Sequence, residues 1–306
     1  MTVGATIDMT GSAPPLDEVV RQVSEARAAG LTSVWFGQAF GYDAPTLAAI
    51  VGREVPGIHF GTAALPVFGR HPLLVAGQAR TVQAALGGRY HLGLALGTQL
   101  FTEEAFGLPF ERPVARLREF LTALRPLTET GSADFRGELL TARTLRPAAV
   151  PGAEPPVPLL VAAMGPQALR VSGRLADGIL PYLAGPRALA EHIVPAVTRA
   201  AEEAGRPAPR VVAFVPAVVT NEPDRVRATV HEALTFYQQI PSYARVIEQS
   251  GVGHAAELAA IGDAKHLAET VRAYRDAGAT EVVVSGSELG GPDDRLRTWE
   301  ALGALA

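Results

Sequence analysis

The chain has 306 residues, 48% of them hydrophobic, and a formal charge of -4 at pH 7. This length supports one large domain or two ordinary ones and excludes a disordered chain, and the even charge pattern predicts neither nucleic-acid nor membrane binding. The absence of cysteine excludes disulfides, thiolate metal sites and a cysteine nucleophile, so we expect a cytoplasmic protein.

Short apolar runs typical of strands alternate along the chain with amphipathic stretches typical of helices. The predicted strands are Val3–Ile7, Ser33–Phe36, His59–Ala64, Tyr90–Leu96, Leu159–Ala163, Gly178–Pro181, Val211–Val219 and Glu281–Val284. The predicted helices are Leu16–Ala29, Thr46–Val51, Leu73–Leu86, Val114–Thr128, Gln167–Leu175, Ala188–Ala204, Arg225–Tyr237, Lys265–Ala277 and one from Asp293 onward. Gly30 follows the first helix, where a left-handed cap belongs.

Eight alternations of strand and helix predict an α/β protein with the (β/α)8 TIM barrel fold. An open, doubly wound sheet is the alternative, but it would more often carry a glycine fingerprint after its first strand, and here Ile7 is followed by "DMTGSAPP". We expect a single domain over residues 1–306 with two insertions. The first, near residues 130–158, combines a hairpin around Gly137 with a proline-rich loop, and the second, near 238–262, contains short helical pieces.

The chemistry of such a barrel lies at the C-terminal ends of its strands and in the loops that follow them. Here those positions hold mainly small residues, amides and backbone. They are Asp8 and Met9 after the first strand, Gly37–Ala39 after the second, Thr62–Ala64 at the third, Gly97–Gln99 after the fourth and Ala163–Gln167 after the fifth. The seven histidines never fall at metal-ligand spacing, so we expect no metal. Such a site suits a planar cofactor that supplies its own reactivity.

Four stretches in order resemble the bacterial luciferase-like class of flavin-dependent and deazaflavin-dependent oxidoreductases. They are "AGLTSVWFGQ" from Ala29, the run from Gly61 to Gly97, "FERPVARLREFLTALRPL" from Phe110, and "LLVAAMGPQALRVSGRLADGIL" from Leu159. Two further stretches, "FGYDAPTLAAI" and "LAGPRALAEHIVP", are most similar to the actinobacterial subgroup that uses coenzyme F420, a deazaflavin. The resemblance implies F420 as cofactor, with FMN as the alternative.

The resemblance also implies cofactor contacts. In the class, the third strand ends in a bulge with a cis peptide bond that supports the ring, which places this bond at Ala63–Ala64. The stretch "AAMGPQALR" would offer free backbone N–H groups to a phosphate. The expected cofactor-binding set is Gln38, Thr62, Ala63, Ala64, Gly97, Thr98, Ala163, Met164, Gly165, Pro166, Gln167 and Ala168. The alternative readings are small residues for barrel packing and an ordinary strand-to-helix turn.

Proton chemistry is where the sequence departs from the class. Several deazaflavin-dependent relatives carry Asp-His after the second strand, whereas this chain has Gln38-Ala39. The candidate catalytic residues are therefore Asp8, Gln38 and Thr98, none of which is an evident strong base. This pattern favours reduction of a polarised C=C or C=N bond over oxidation of an alcohol.

The leading functional hypothesis is thus an F420-dependent oxidoreductase that transfers hydride to or from a small, mostly apolar molecule. The alternatives are a reduced-FMN monooxygenase of the same fold and a barrel that binds a flavin without catalysis. The expected substrate pocket is formed by Met9, Phe40, Phe68, Phe101 and Tyr182. Because relatives are commonly dimers and only 19% of the residues are charged, we expect a homodimer.

Overall fold

The structure, a computed structural model, describes residues 2–9 and 14–306. Eight parallel strands, numbered here in chain order, form a closed barrel. They are β1 (Thr2–Ile7), β2 (Ser33–Phe36), β3 (His59–Thr62), β4 (Tyr90–Ala95), β5 (Leu159–Ala162), β6 (Gly178–Ile179), β7 (Arg210–Val219) and β8 (Glu281–Ser285). Each strand pairs with the next, and β1 pairs with β8, with Ala5 opposite Val284. The predicted TIM barrel is confirmed.

Helices surround the barrel, and each predicted helix is present with shifted ends. They are α1 (Leu16–Ala28), α2 (Ala44–Glu54), α3 (Pro72–Ala85), α4 (Pro113–Thr130), α5 (Pro166–Leu175), α6 (Val194–Glu203), α7 (Pro223–Thr235), α8 (Pro241–Gln249), α9 (Ala264–Asp276) and α10 (Pro292–Gly303). A turn Pro186–Ala188 and a π-helical turn Leu189–Ile193 precede α6, so the single helix predicted from Ala188 is divided. Gly30 has a φ of 93°, as its predicted left-handed position requires.

Two predicted strands, β3 and β6, each end two residues before the predicted bound. β3 ends at Thr62, and after two more residues the chain forms the short strand Leu65–Pro66, which pairs with β4. β6 has two residues, after which Tyr182 makes an isolated bridge to Phe214 of β7. The C-terminal ends of the eight strands surround one opening of the barrel, which is called the mouth here.

The first insertion contains the predicted hairpin, with strands Asp134–Arg136 and Thr141–Arg143. Both strands lie within the predicted insertion, on either side of Gly137. The carboxylate of Glu119, from α4, accepts hydrogen bonds from the backbone N–H groups of Glu138, Leu139 and Leu140 at 2.9–3.1 Å. This buried acceptor fixes the turn of the hairpin against α4.

The second insertion lies between β7 and α9. It holds the 3-10 turn Phe236–Gln239, helix α8, the 3-10 turn Ala255–Leu258 and a strand, Ala260–Gly262, that pairs with the end of β7 and was not predicted. Its side chains form a separate apolar cluster with Leu183 and Val218. No helix within residues 2–9 and 14–306 is long and apolar enough to cross a membrane.

A polar cluster closes the N-terminal end of the barrel. The buried carboxylate of Glu281 accepts hydrogen bonds from Ser33 Oγ at 2.6 Å and from Arg210 Nη2 at 2.9 Å. The ring of His91 stacks between Trp35 and His59, with centroids 5.9 Å and 5.2 Å away. Burial and the charge of Arg210 lower the pKa of His91 to about 3, so the ring is neutral. Arg210 and Glu281 therefore form an ion pair at the end of the barrel opposite the C-terminal strand ends.

Candidate active site

The end of β3 presents two small side chains to the barrel mouth. Ala63 and Ala64 are half-buried, and both pack on the interior cluster that contains Trp35, Phe214 and Val283. The Ala63–Ala64 peptide bond is cis, as predicted. The Ala63 N–H donates to Phe36 O of β2 at 2.9 Å, which fixes the position of the bulge. Two methyl groups on a fixed backbone leave a low, flat surface at this point.

Thr62, the residue before this surface, has its side chain occupied within the sheet. Its hydroxyl donates to Gly93 O and accepts from Gly93 N–H, both at 2.9 Å, and it is fully buried. A Cβ at Gly93 would clash with the carbonyl oxygen of Thr62, so the two strands approach closely only because residue 93 is glycine. The hydroxyl of Thr62 thus fixes β3 against β4, and any cofactor contact of this residue would be through its backbone.

The loop after β4 begins with a left-handed turn. Gly97 has a φ of 77°, and Thr98 follows it half-buried at the mouth. Thr98 Oγ1 accepts from Phe101 N–H at 3.3 Å, and its carbonyl accepts from Thr102 N–H at 3.0 Å. These bonds start the π-helical turn Phe101–Ala105. The Thr98 hydroxyl retains a proton that it can donate to a neighbouring group.

Helix α5 begins at the mouth, after β5. Gly165 is its N-cap residue, and within the part of the chain that the structure describes no side chain caps this end. The N–H groups of the first helical turn lack partners within the helix, and here they include those of Gln167 and Ala168. A Cβ added to Gly165 would meet no atom within 4 Å, so the space beside the cap is open. A helix start of this kind can accept a phosphate group, so phosphate binding by this stretch stays a prediction.

Gln38 lies at the mouth but its amide organises the loop before α2. Its Oε1 accepts from Ala44 N–H at 3.0 Å and its Nε2 donates to Ala39 O at 2.7 Å. The next residue but one, Phe40, is 67% exposed and contacts Phe101 with ring centroids 5.9 Å apart. The structure thus gives Gln38 a loop-fixing role and places Phe40 and Phe101 together on the rim.

Two residues expected in the substrate pocket are core residues. Met9 is 7% exposed and packs in the layer between strands and helices. Phe68 is 1% exposed, stacks near Phe110 with centroids 4.9 Å apart, and lies beneath the guanidinium of Arg116. Loop position alone does not distinguish an apolar side chain that turns inward from one that faces the mouth.

Tyr182, the fifth expected pocket residue, belongs to a group of three tyrosines over the mouth. Its ring lies edge-on to Tyr237 and Tyr243 of the second insertion, with centroids 5.3 Å and 6.0 Å away. Burial raises the pKa of Tyr182 well above its usual value, so its hydroxyl is protonated. The neighbouring Ser285, at the end of β8, is 8% exposed and its hydroxyl has no hydrogen-bond partner among the described residues.

Besides Asp8, which was predicted as an acid at a strand end, the mouth holds a second acid that the sequence analysis did not identify. Glu288 follows β8 by three residues, and both carboxylates line a cavity of about 170 Å³. Burial and the charge of Asp8 raise the pKa of Glu288 to about 7. Its place shortly after the end of β8 is the signal that marks it as a candidate, since functional residues of such barrels follow the strand ends.

Asp177, in the "LADG" stretch, has a structural role. Its Oδ2 accepts from Leu159 N–H at 2.8 Å, and its Oδ1 accepts from Arg125 and Arg206 at 3.0 Å and 2.8 Å. Leu159 begins β5, so Asp177 lies at the N-terminal end of the barrel, away from the mouth. Across residues 2–9 and 14–306, no group of three His, Asp or Glu side chains has the arrangement of a metal site.

The mouth therefore combines a low alanine surface at β3, an uncapped helix start at α5 and few ionisable side chains. These features place the protein in a class of (β/α)8 barrels that suit a planar cofactor with a phosphorylated side chain. Residues 1–281 match the family described as luciferase-like monooxygenase. The chain belongs to this family.

Relatives and solved structures agree with this assignment. The F420-dependent glucose-6-phosphate dehydrogenase of Mycolicibacterium fortuitum is 30% identical over 68% of this chain and 66% of its own. A protein of Mycobacterium tuberculosis with no described activity is 30% identical over 64% of this chain, and the match spans 61% of its length.

Two solved structures share the fold at low identity. An F420-dependent secondary alcohol dehydrogenase bound to an F420–acetone adduct has a TM-score of 0.83 at 17% identity, over 98% of this chain and 97% of its own. The oxygenating constituent of 3,6-diketocamphane monooxygenase from Pseudomonas putida, in complex with FMN, has a TM-score of 0.79 at 15% identity. The match covers 99% of this chain and 97% of its own. Related barrels thus hold either cofactor.

Proposed function

We propose that this protein is a coenzyme F420-dependent oxidoreductase that reduces a C=C or C=N bond of a small, mostly apolar molecule. The observation that carries the proposal is the surface of Ala63 and Ala64, which is flat, half-buried and placed between the second and fourth strand ends. We further propose that it acts as a single barrel domain, as a homodimer and in the cytoplasm.

The residues of the mouth fit the cofactor. The methyl groups of Ala63 and Ala64 would contact one face of the ring, and Thr98 and the backbone at Gly97 would contact its polar edge. The first turn of α5, from Gly165, would bind a phosphate of the cofactor side chain. The bound deazaflavin would supply two-electron hydride transfer, so the protein need not supply a redox group.

The protein itself would then need only to position the substrate and to donate or accept protons. The exposed rings of Phe40 and Phe101 support an apolar entrance to the mouth. Two acids, Asp8 and Glu288, lie at the ends of β1 and β8, which are two and three strands away from β3 around the barrel. A carboxyl group whose pKa is about 7 is suited to exchange a proton at neutral pH.

A second candidate function, an FMN-dependent monooxygenase, is supported by the tyrosines over the mouth. Tyr182, Tyr237 and Tyr243 cover part of the mouth, which would help to exclude water from a reactive oxygenated flavin.

Oxygen dependence separates the two candidates. Purified protein is mixed with reduced F420 and a panel of cyclic enones and cyclic imines, and oxidation of the cofactor is followed with and without oxygen. We expect substrate-dependent oxidation of F420 that proceeds equally without oxygen. Turnover that requires reduced FMN and oxygen, and none with reduced F420, would support the monooxygenase and overturn the proposal.

A further inference from the structure

Tyr182 stands on the same layer of the barrel interior as the surface of Ala63 and Ala64. All three side chains pack on the interior cluster that contains Trp35 and Phe214. The strands from β3 to β7 pair in chain order, so β6 and β7 lie three and four strands from β3 in a barrel of eight. Tyr182 follows β6 and bridges to Phe214 of β7. The tyrosine therefore lies across the mouth from the two alanines.

The ring of Tyr182 is held by aromatic neighbours from the second insertion. It meets Tyr237 and Tyr243 edge-on, with centroids 5.3 Å and 6.0 Å away, and those two rings meet each other edge-on at 4.9 Å. All three rings also pack on the apolar cluster of the insertion, which contains Leu183 and Val218. A hydroxyl on a ring held in this way is ordered before a ligand arrives, so less conformational entropy is lost on binding.

The hydroxyl of Tyr182 is a hydrogen-bond donor at neutral pH. Burial raises the pKa of Tyr182 well above its usual value, Tyr237 and Tyr243 add to the rise, and the hydroxyl of Ser285 opposes it. The phenol therefore keeps its proton. The opposing effect of Ser285 means that its hydroxyl stabilises negative charge on the Tyr182 oxygen, so the two hydroxyls lie near each other.

Ser285 supplies a buried hydroxyl to this side of the mouth. The residue is 8% exposed, and its Oγ has no hydrogen-bond partner among the described residues. Val283 packs in the interior cluster, and residues two apart in a strand share a face, so Ser285 also faces the interior. Buried polar groups are rarely left unpaired. The unpaired hydroxyl indicates that polar atoms of a ligand belong on this side of the mouth.

These two hydroxyls favour one type of substrate atom. Both are uncharged donors, and the oxygen of a carbonyl group is an uncharged acceptor that can satisfy them. A protonated imine would find no negative charge at these hydroxyls and would bring an N–H donor of its own. Of the two bonds proposed above, C=C and C=N, the hydroxyls therefore favour a C=C bond that is conjugated to a carbonyl group.

We propose that Tyr182 is a catalytic residue whose hydroxyl donates to the carbonyl oxygen of an α,β-unsaturated carbonyl compound, bound between Tyr182 and the surface of Ala63 and Ala64. Ser285 and Tyr237 are positioning residues, which act on the substrate through the Tyr182 hydroxyl. The inference rests on the proposed function, since it names the substrate class of the same mouth.

The reaction balances with Tyr182 as a donor that keeps its proton. Reduced deazaflavin, when bound, supplies a hydride and is oxidised by two electrons. A C–H bond forms at the β carbon, the C=C π pair moves between the α carbon and the carbonyl carbon, and the C=O π pair moves to the oxygen. Tyr182 stabilises the negative charge on this oxygen. A proton from water then forms a C–H bond at the α carbon as C=O re-forms, so no histidine is required, which agrees with Gln38-Ala39 after β2.

Cyclohexenone with an isotope-labelled carbonyl group tests the proposal in two ways. On protein loaded with oxidised F420, which cannot reduce it, binding is measured by calorimetry and the C=O stretch by infrared difference spectroscopy. With reduced F420 and no oxygen, turnover is measured. Tyr182→Phe should move the C=O stretch to higher wavenumber, weaken binding by roughly 2-fold to 12-fold and lower kcat by roughly 100-fold to 1000-fold. The cyclic imine of the same ring size should be the poorer substrate.

Two further variants complete the test. Ser285→Ala should lower kcat by roughly 3-fold to 10-fold and shift the C=O stretch in the same direction but less. Tyr274→Phe is the matched control, because it removes a phenol hydroxyl that is buried between helices and strands, and it should change neither quantity. If Tyr182→Phe fails to fold, Ser285→Ala decides.

Three results would each overturn the proposal: no binding of cyclohexenone, a C=O stretch that ignores Tyr182→Phe, or faster reduction of the imine. F420 affinity is measured by fluorescence in the same proteins and should be unchanged by the three substitutions. Failure of the natural protein to bind F420 would overturn the proposed function itself, whereas normal F420 binding with any of the three results would overturn this inference alone.

Discussion

The small size of the Ala63 and Ala64 side chains is what allows them to form the proposed cofactor surface. Both are half-buried, and the Ala63 N–H is held by Phe36 O. A larger side chain here would project into the mouth, whereas a larger side chain at a true core position would project into packed neighbours. Ligand binding and stability should therefore respond differently to substitution at this position.

Ala63→Ile should weaken F420 binding by roughly 5-fold to 150-fold, because overpacking costs about 1–3 kcal/mol and here acts on the complex. The melting temperature of the cofactor-free protein should barely change. Ala63→Ser, which adds one small atom, is the matched control and should bind nearly as well as the natural protein. If Ala63→Ile instead lowers the melting temperature and leaves F420 affinity intact, these alanines are packing spacers.

Thr62 differs from its neighbours because its hydroxyl serves the barrel. Thr62→Val keeps the shape of the side chain but removes both bonds to Gly93, and it leaves a buried N–H without its partner. We expect a loss of about 1–3 kcal/mol in the free energy of unfolding, measured with urea. Thr122→Val, on the exposed face of α4, is the control and should change stability by less than about 0.5 kcal/mol. Equal effects of the two substitutions would contradict the distinct roles.

At the scale of elements, the N-terminal ends of β4, β7 and β8 share the polar cluster of His91, Arg210 and Glu281. His91 has a folded pKa of about 3 and an ordinary value of 6.5. Because the folded pKa is depressed, the unfolded chain binds more protons below pH 6.5. The stabilising contribution of the neutral ring is thus complete above pH 6.5 and is lost as the pH falls toward 3.

His91→Phe tests this dependence. By pH 4.5 the natural protein should have lost about 2–3 kcal/mol through this residue, two units below its ordinary pKa. The phenylalanine ring can keep the stacking with Trp35 and His59 but cannot titrate. We expect the slope of unfolding free energy against pH, measured by urea titration from pH 7 to pH 4.5, to flatten in the variant. His192→Gln, on the surface, should leave the slope unchanged; equal slopes for all three proteins would contradict the assignment.

Sequence periodicity predicted the eight strands and the helices because each buries one apolar face, which is a local property. It did not predict the strand Ala260–Gly262, because this strand depends on a distant partner, β7. For the same reason, loop positions in the sequence placed Met9 and Phe68 at the mouth and did not identify Glu288. The direction of a loop side chain and the desolvation of a carboxylate are set by tertiary packing.

At the scale of the whole molecule, several large apolar side chains remain exposed. Leu74 on α3 is 75% exposed and Ile50 on α2 is 43% exposed. Apolar side chains on neighbouring outer helices are typical of surfaces that bind another subunit. We expect light scattering at micromolar concentration to give twice the chain mass of 32.0 kDa. A mass of one chain under these conditions would contradict the homodimer.

We propose above that the mouth of this barrel binds a deazaflavin on the surface formed by Ala63 and Ala64. Equilibrium titration of the cofactor-free protein with F420 and with FMN, followed by fluorescence, tests it most directly. We predict saturable binding of F420 with a Kd of about 1 μM or below, equivalent to roughly 8 kcal/mol or more, and weaker binding of FMN. Tight retention of FMN through purification, with no saturable response to F420, would contradict the account.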